Sequence, residues 1–203
     1  MLLSQAKQMG RDSCTSLARL AHDFYNDAFW FNQQACSSPR AVFWVGDAEQ
    51  CEQAQARFWP ALAQRIAQQQ PDNAPAHVMN RATTLALVAE AHVHARALTA
   101  PGALPSRIQV DALSDADRRL HDGNGLFIEV QAAALADVVS ALSPRDQTVA
   151  CFGLAGGDWQ PLLGQLPPHA ADRIVPIGQA LGFERVWDGV DLLQAFTRQL
   201  RGL

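Results

Sequence analysis

Phe31-Asn32-Gln33-Gln34-Ala35-Cys36-Ser37-Ser38-Pro39-Arg40 runs directly into Ala41-Val42-Phe43-Trp44-Val45, so an amide-rich turn holding one cysteine feeds an unbroken apolar run. The run is bounded by Ser-Ser-Pro on one side and by Gly46-Asp47 on the other, which predicts a buried strand over 41–45. A cysteine in a turn that feeds a buried strand can be held at the floor of a cleft. A packing cysteine, by contrast, usually lies inside an apolar-periodic segment and needs no polar neighbours.

Before this stretch, Leu17, Leu20, Phe24 and Ala28 share one apolar face and predict a helix over 13–30. After it, Asp47 reads as an N-cap for a helix in which Cys51, Phe58, Leu62 and Ile66 recur at helical spacing. Gln68-Gln69-Gln70-Pro71 stops that helix, and Pro60 is expected to kink or divide it. Val78, Ala82, Leu85, Ala89, His92 and Arg96 form a stripe that predicts a helix from about 76 to 98. A Pro/Ala/Gly-rich loop at 99–105 ends it.

Strands are then expected at 107–111 and 125–130, a helix at 132–142 and a buried strand at 148–152, with Gly156-Gly157 as a turn. The last part reads as a short helix around 159–165, an edge strand over Ile174–Ile177 marked by Pro176, and a closing helix over 189–201. Strands alternating with helices predict an α/β architecture, a largely parallel sheet flanked by helices. The loop at 99–105 is too short to demand a boundary, so the chain reads as one domain over 1–203.

With 203 residues, 48% of them hydrophobic and 18% charged, the chain can bury a sizeable core. A net charge of -4 and singly scattered arginines give no electrostatic footprint for nucleic acid. Nor does any apolar run approach the roughly 20 residues of a membrane span. The N-terminus lacks the layout of a secretory signal, and a cytoplasmic location is expected. Cys14, Cys36, Cys51 and Cys151 show no paired spacing, which points to free thiols rather than a zinc knuckle or a disulfide framework.

The Cys36 segment resembles the NQQACSSP motif of the long-chain acyl-CoA reductases of bacterial bioluminescence, the LuxC family, a branch of the aldehyde dehydrogenase superfamily. Asp172-Arg173-Ile174-Val175-Pro176-Ile177-Gly178, followed by Trp187-Asp188-Gly189-Val190-Asp191-Leu192, is similar to that family's C-terminal DRIVPIG and WDGYDL signatures, with Val190 in place of a tyrosine. The resemblance implies the catalytic lobe of an aldehyde dehydrogenase-like fold. It also implies an NADPH-dependent acyl-CoA reductase in which Cys36 attacks a thioester, releases coenzyme A and holds the acyl group until hydride from NADPH yields the aldehyde. The partner would be acyl-CoA or another acyl thioester, including one delivered by an acyl-donating protein.

Cys36 read from the residues alone is either this nucleophile or a small apolar filler. Backbone N–H groups of the turn, with Asn32, Gln33, Gln34 and Ser37 as pocket candidates, could hold an oxyanion; an ordinary polar loop flank is the alternative. A superfamily glutamate in a comparable loop-and-strand setting binds the nicotinamide ribose, and Glu129 is its candidate counterpart; a solvent-facing glutamate at a strand end is the alternative. Gly123 and Gly125 do not form a dinucleotide fingerprint.

No metal site is expected: His92 and His94, two residues apart on a helix, point to different faces and lack a third ligand. His22 could reach Cys36 only through tertiary folding, so a Cys-His dyad is unsupported by the sequence. Asp188 and Asp191 read as the start of the last helix, Asp188 as its cap. Trp187 reads as an anchor, and Arg173 either orients its loop or lies on the surface.

Family members are usually longer, with a nucleotide-binding domain ahead of the cysteine-bearing one, and here 35 residues precede Cys36. The expectation is therefore a catalytic domain without its nucleotide-binding domain, self-associating through the apolar surface so uncovered. The competing readings are a cysteine-dependent thioesterase or acyltransferase and a non-catalytic assembly module of the same fold.

Overall fold

Strand β2, Ala41–Val45, is buried along its whole length because both of its faces are covered. Val42 and Trp44 join one apolar core, while Ala41, Phe43 and Val45 join the other. Side chains alternate across a strand, so a strand sandwiched in this way must be apolar at every position. The unbroken run in the sequence follows from that.

The structure is a computed structural model and describes residues 2–5, 14–100 and 102–198. Residue 13, Pro101 and residues 199–201, which belong to expected elements, lie outside the described residues, as does the Cys14 side chain. In chain order the elements before β2 are β1 (Leu2–Gln5) and α1 (Cys14–Phe29). After it come α2 (Ala48–Gln69), α3 (Pro75–Ala91), β3 (Arg96–Ala97), β4 (Ser106–Gln109), α4 (Asp115–Leu120) and β5 (Leu126–Ala132). The remainder is α5 (Leu135–Ala141), β6 (Thr148–Phe152), α6 (Gly156–Trp159), a 3-10 turn (Leu163–Gln165), β7 (Arg173–Pro176), a hairpin β8 (Val186–Trp187) and β9 (Val190–Asp191), and α7 (Leu192–Phe196).

Seven strands form one sheet in the order β3-β4-β5-β2-β1-β6-β7. All neighbours are parallel except β3 and β4, so the expected α/β class with a largely parallel sheet is what the chain adopts. Helices α1 and α2 cover one face over Val42, Trp44 and Phe127. Val88 of α3, with Val138 and Val139 of α5, covers the other over Phe43, Ile108 and Ile128. Pro176 lies on the edge strand β7, where its missing N–H costs the sheet nothing.

Asp47 caps α2 in a capping box, accepting from the Gln50 N–H at 2.8 Å. The helix continues through the exposed Pro60 undivided and ends at Gln70 in the left-handed region. Helix α3 is shorter than its stripe implied. It stops at Ala91, and Arg96 belongs to β3. The residues α3 buries are Arg81, Thr84 and Val88, one position away from the apolar stripe, because Arg81 reaches inward to carbonyl groups.

At the C-terminal end the hairpin and the short α7 replace the long closing helix. Asp191, not Asp188, is the cap, accepting from the N–H groups of Leu193 and Gln194. Asp188 sits in the hairpin turn with φ 49°. Arg173 is buried, donates to the carbonyls of Gln179, Ala180 and Gly182, and lies 4.6 Å from the Trp187 ring. It orients its loop. Strand β1 has too few residues to show a period in the sequence.

Candidate active site

Helix α1 ends at Phe29, and the chain turns through Asn32 and Gln33, both in the left-handed region with φ of 50° and 62°. Backbone bonds from Asn32 to the Phe29 carbonyl, from Gln34 to Phe31 and from Ser38 to Ala35 shape the turn. Cys36 is exposed at its tip. Among the described residues no acceptor takes the N–H of Cys36 or of Ser37. The Ser37 side chain is buried, and Ser38 Oγ donates to the Asp27 carbonyl at 3.0 Å.

Cys36 lines a cleft of about 200 Å³ with Arg40, Asp117, His121, Arg145 and Thr148 among its other walls. β2, β5 and β6 are parallel, and Cys36, His121 and Arg145 precede them respectively, so the cleft lies at the amino ends of the strands. Nucleotides in open α/β sheets bind beyond the carboxyl ends. The cleft therefore lies at the end of the sheet opposite to that position.

Its charges are largely spoken for. Arg118 donates to Asp146 at 2.6 Å and to the carbonyls of Leu113 and Ala141. Asp117 is fully buried and accepts from Ser114 and from His92, whose Nε2 is 3.0 Å away; these bonds hold its carboxyl below the usual range although burial alone would raise it. His121 Nε2 lies 3.0 Å from the Leu126 carbonyl, and its Nδ1 accepts from the Gly123 N–H at 3.1 Å. Burial, helped by the Arg40 charge, pushes the His121 pKa down to about 3. It is a neutral imidazole with both nitrogens engaged, and so it offers the thiol no free base.

The three amides of the motif occupy different places. Asn32 Nδ2 is 3.1 Å from His77 Nδ1, and Gln34 Nε2 donates to the Asp122 carbonyl at 2.8 Å. Gln33 is fully buried, donating to the Pro39 and Leu126 carbonyls and accepting from the Gly125 N–H. Gly123 and Gly125 (φ 79° and 83°) form the turn beneath it, where a Cβ would lie 2.7 Å from the Gln33 carbonyl or 2.2 Å from Leu104. These glycines cradle the cysteine loop.

Glu129 is on β5 opposite Val42 and is 0% exposed, which removes the solvent-facing alternative. One carboxylate oxygen accepts from Trp44 Nε1 at 2.7 Å and Trp59 Nε1 at 2.9 Å, and the other from Arg107 Nε at 2.7 Å. The Arg107 guanidinium lies 4.5 Å from the Trp59 ring. The carboxylate is thus enclosed by two indoles and a guanidinium.

Cys51 and Cys151 differ from Cys36. The Cys51 thiol is fully buried against the Trp44 and Gly46 carbonyls, and burial, with Asp47 nearby, pushes its pKa up to about 11. Burial also raises that of Cys151, whose Sγ is 3.4 Å from the Val175 carbonyl.

Sequence reasoning missed His121, Arg40, Arg81 and Asp27. Arg40 Nη1 donates to the His121 carbonyl and Arg81 Nη1 to the Asn124 carbonyl. Asp27 is buried at the end of α1 and accepts from the N–H groups of Gly178 and Ala180 at 2.6 and 3.0 Å, joining the C-terminal motif to the helix that leads to Cys36. Burial pushes its pKa up to about 6 against those two bonds. A signal existed for Asp27: an acid in the last turn of a helix opposes the dipole unless it has donors of its own.

Among the described residues no helix is long and apolar enough to cross a membrane. The sheet order and its covering helices define an aldehyde dehydrogenase-like α/β lobe. Solved structures with this fold include an NADP-dependent enzyme from E. coli, 14% identical with a TM-score of 0.59, matched over 92% of this chain and 39% of its own. A methylmalonate-semialdehyde dehydrogenase from Oceanimonas doudoroffii, 11% identical with a TM-score of 0.58, is matched over 91% of this chain and 40% of its own. A 3,6-anhydro-L-galactose dehydrogenase in complex with NAP, 11% identical with a TM-score of 0.57, is matched over 92% and 40%. The chain thus spans about two fifths of the length of these structures. Comparison of the sequence with curated proteins gives no match. The chain belongs to the acyl-CoA reductase (LuxC) family, whose model matches residues 8–199.

Proposed function

We propose that this chain is the catalytic domain of an NADPH-dependent acyl-CoA reductase and that Cys36 is its nucleophile. The observation that carries the reading is an exposed thiol at a cleft, flanked by backbone N–H groups of Cys36 and Ser37 that have no acceptor among the described residues. Those donors suit an oxyanion. Membership of an acyl-CoA reductase family supplies the substrate class.

In this mechanism the Cys36 thiolate adds to the thioester carbonyl, and the oxyanion is held by the two N–H groups. The tetrahedral adduct then expels the coenzyme A thiolate, which takes up a proton. One C–S bond forms and one breaks, between thiols of similar strength, so the transfer is nearly balanced in free energy. When bound, a reduced nicotinamide would supply a hydride to the acyl carbon; the C–S bond to Cys36 would then break, leaving the aldehyde and the regenerated thiolate. The enclosure of Glu129 by Trp44, Trp59 and Arg107 argues against a contact between it and the nicotinamide ribose. In this reading cofactor contacts come from a nucleotide-binding domain. The NADP-dependent enzyme among the structural neighbours supports the choice of cofactor.

The test is intact mass after incubation with a fatty acyl-CoA. The wild type should gain one acyl group and release one free thiol, and Cys36→Ala should gain none. An unmodified wild type, or equal modification of both, rejects the reading.

A further inference from the structure

We propose that Gln33 is a positioning residue for the Cys36 thiol, the one amide of the motif on which its reactivity depends; this rests on Cys36 being the nucleophile. Three observations converge on Gln33. Its side chain is 0% exposed and fully satisfied, with Nε2 2.8 Å from both the Pro39 and Leu126 carbonyls and Oε1 2.7 Å from the Gly125 N–H. No hydrogen-bonding capacity is left for an oxyanion, so Gln33 does not contact the substrate.

The bond to Pro39 closes a ring of chain from Gln33 to Pro39, and Cys36 lies at its midpoint. The two bonds to Leu126 and Gly125 fix that ring to the amino end of β5. A loop tip is ordinarily mobile, and closing its base through one buried side chain restricts the directions the thiol and the adjacent N–H groups can take.

Lastly, Gln33 holds φ 62°, a conformation that costs a residue with a side chain free energy and persists where the surroundings over-determine it. The three bonds are that over-determination. Asn32 and Gln34 each make a single side-chain bond, and Gln34 is exposed.

The experiment follows Cys36 acylation by a fatty acyl-CoA over time, by intact mass, in wild type, Gln33→Glu and Gln33→Gly, with folding checked by circular dichroism. Gln33→Glu keeps the acceptor for Gly125 but turns a carboxylate toward two carbonyls. Gln33→Gly accepts the positive φ without any brace. Both should acylate at least about 10-fold more slowly at saturating acyl-CoA, with little change in the half-saturating concentration, because orientation and not binding is lost. A folded variant with the wild-type rate overturns the proposal.

If neither variant folds, the wild type still decides by NMR. The Gln33 side-chain amide protons should exchange with solvent far more slowly than those of Gln34, and equal exchange overturns the proposal. If the wild type takes up no acyl group, the proposed function fails separately. The rate of Cys36 alkylation by iodoacetamide then judges Gln33 alone, an unchanged rate in folded Gln33→Glu counting against it.

Discussion

The Cys36 loop and the Glu129 clasp lie against the same pair of strands, β2 and β5, yet they dispose of their polar groups in opposite ways. At Glu129 both carboxylate oxygens are bonded: two indoles and one guanidinium close over a carboxylate that solvent does not reach. In the loop the buried Gln33 and Ser38 side chains are hydrogen-bonded in the same way, but the tip keeps an exposed thiol and two N–H groups without acceptors among the described residues. The contrast separates a polar group that holds the fold from one left available for chemistry: the first is saturated, and the second is unsaturated beside saturated supports.

Removing the thiol is the sharpest way to break this comparison. Cys36→Ala should abolish acyl uptake while changing stability by less than about 0.5 kcal/mol, as expected for an exposed side chain; mass spectrometry and urea melts check the two halves. Glu129→Ala should do the reverse. Leaving Arg107 unpaired beside two indoles with no acceptor should cost about 3–5 kcal/mol in denaturant unfolding, and folded protein should alkylate at Cys36 as before.

Asp27 gives an intermediate effect with a definite sign. Its folded pKa, about 6, lies above the usual carboxylate value, so the stability it contributes is full below about pH 4 and lost as pH rises through about 6. Between those limits the wild type should lose roughly 2–3 kcal/mol relative to Asp27→Asn. A flat difference across pH 4–7 would show that the carboxyl is solvated like any surface acid. The smallest effect is expected for Gln34→Ala, whose exposed amide makes one bond to Asp122, with a loss under about 1 kcal/mol in thermal unfolding.

Much of this was legible in the sequence. The run Ala41–Val45 showed the sandwiched strand because alternation disappears when both faces are buried, and Asp47 with Gln50 showed the start of α2. The segment around Cys36 pointed to the exposed thiol. What stayed hidden depends on tertiary contact. Gln33, Gln34 and Asn32 look alike as residues, and only the approach of Gly123–Gly125 and Pro39 makes Gln33 the buried one. Arg81 falsified the stripe of α3 because a buried arginine aimed at carbonyls reads as a polar gap. Glu129 looked like an exposed or cofactor-facing acid until Trp44, Trp59 and Arg107, drawn from three elements, closed over it.

The contact between Asp27 and the Gly178–Ala180 loop spans more than 150 positions of the chain. The carboxylate on the helix leading to the reactive turn finds its donors only once the seventh strand has docked. A polypeptide ending short of that loop would keep a sequestered acid with nothing to satisfy it, directly beneath Ser38. The tail of the molecule thus helps finish a turn near its head, and shortening one should be felt in the other.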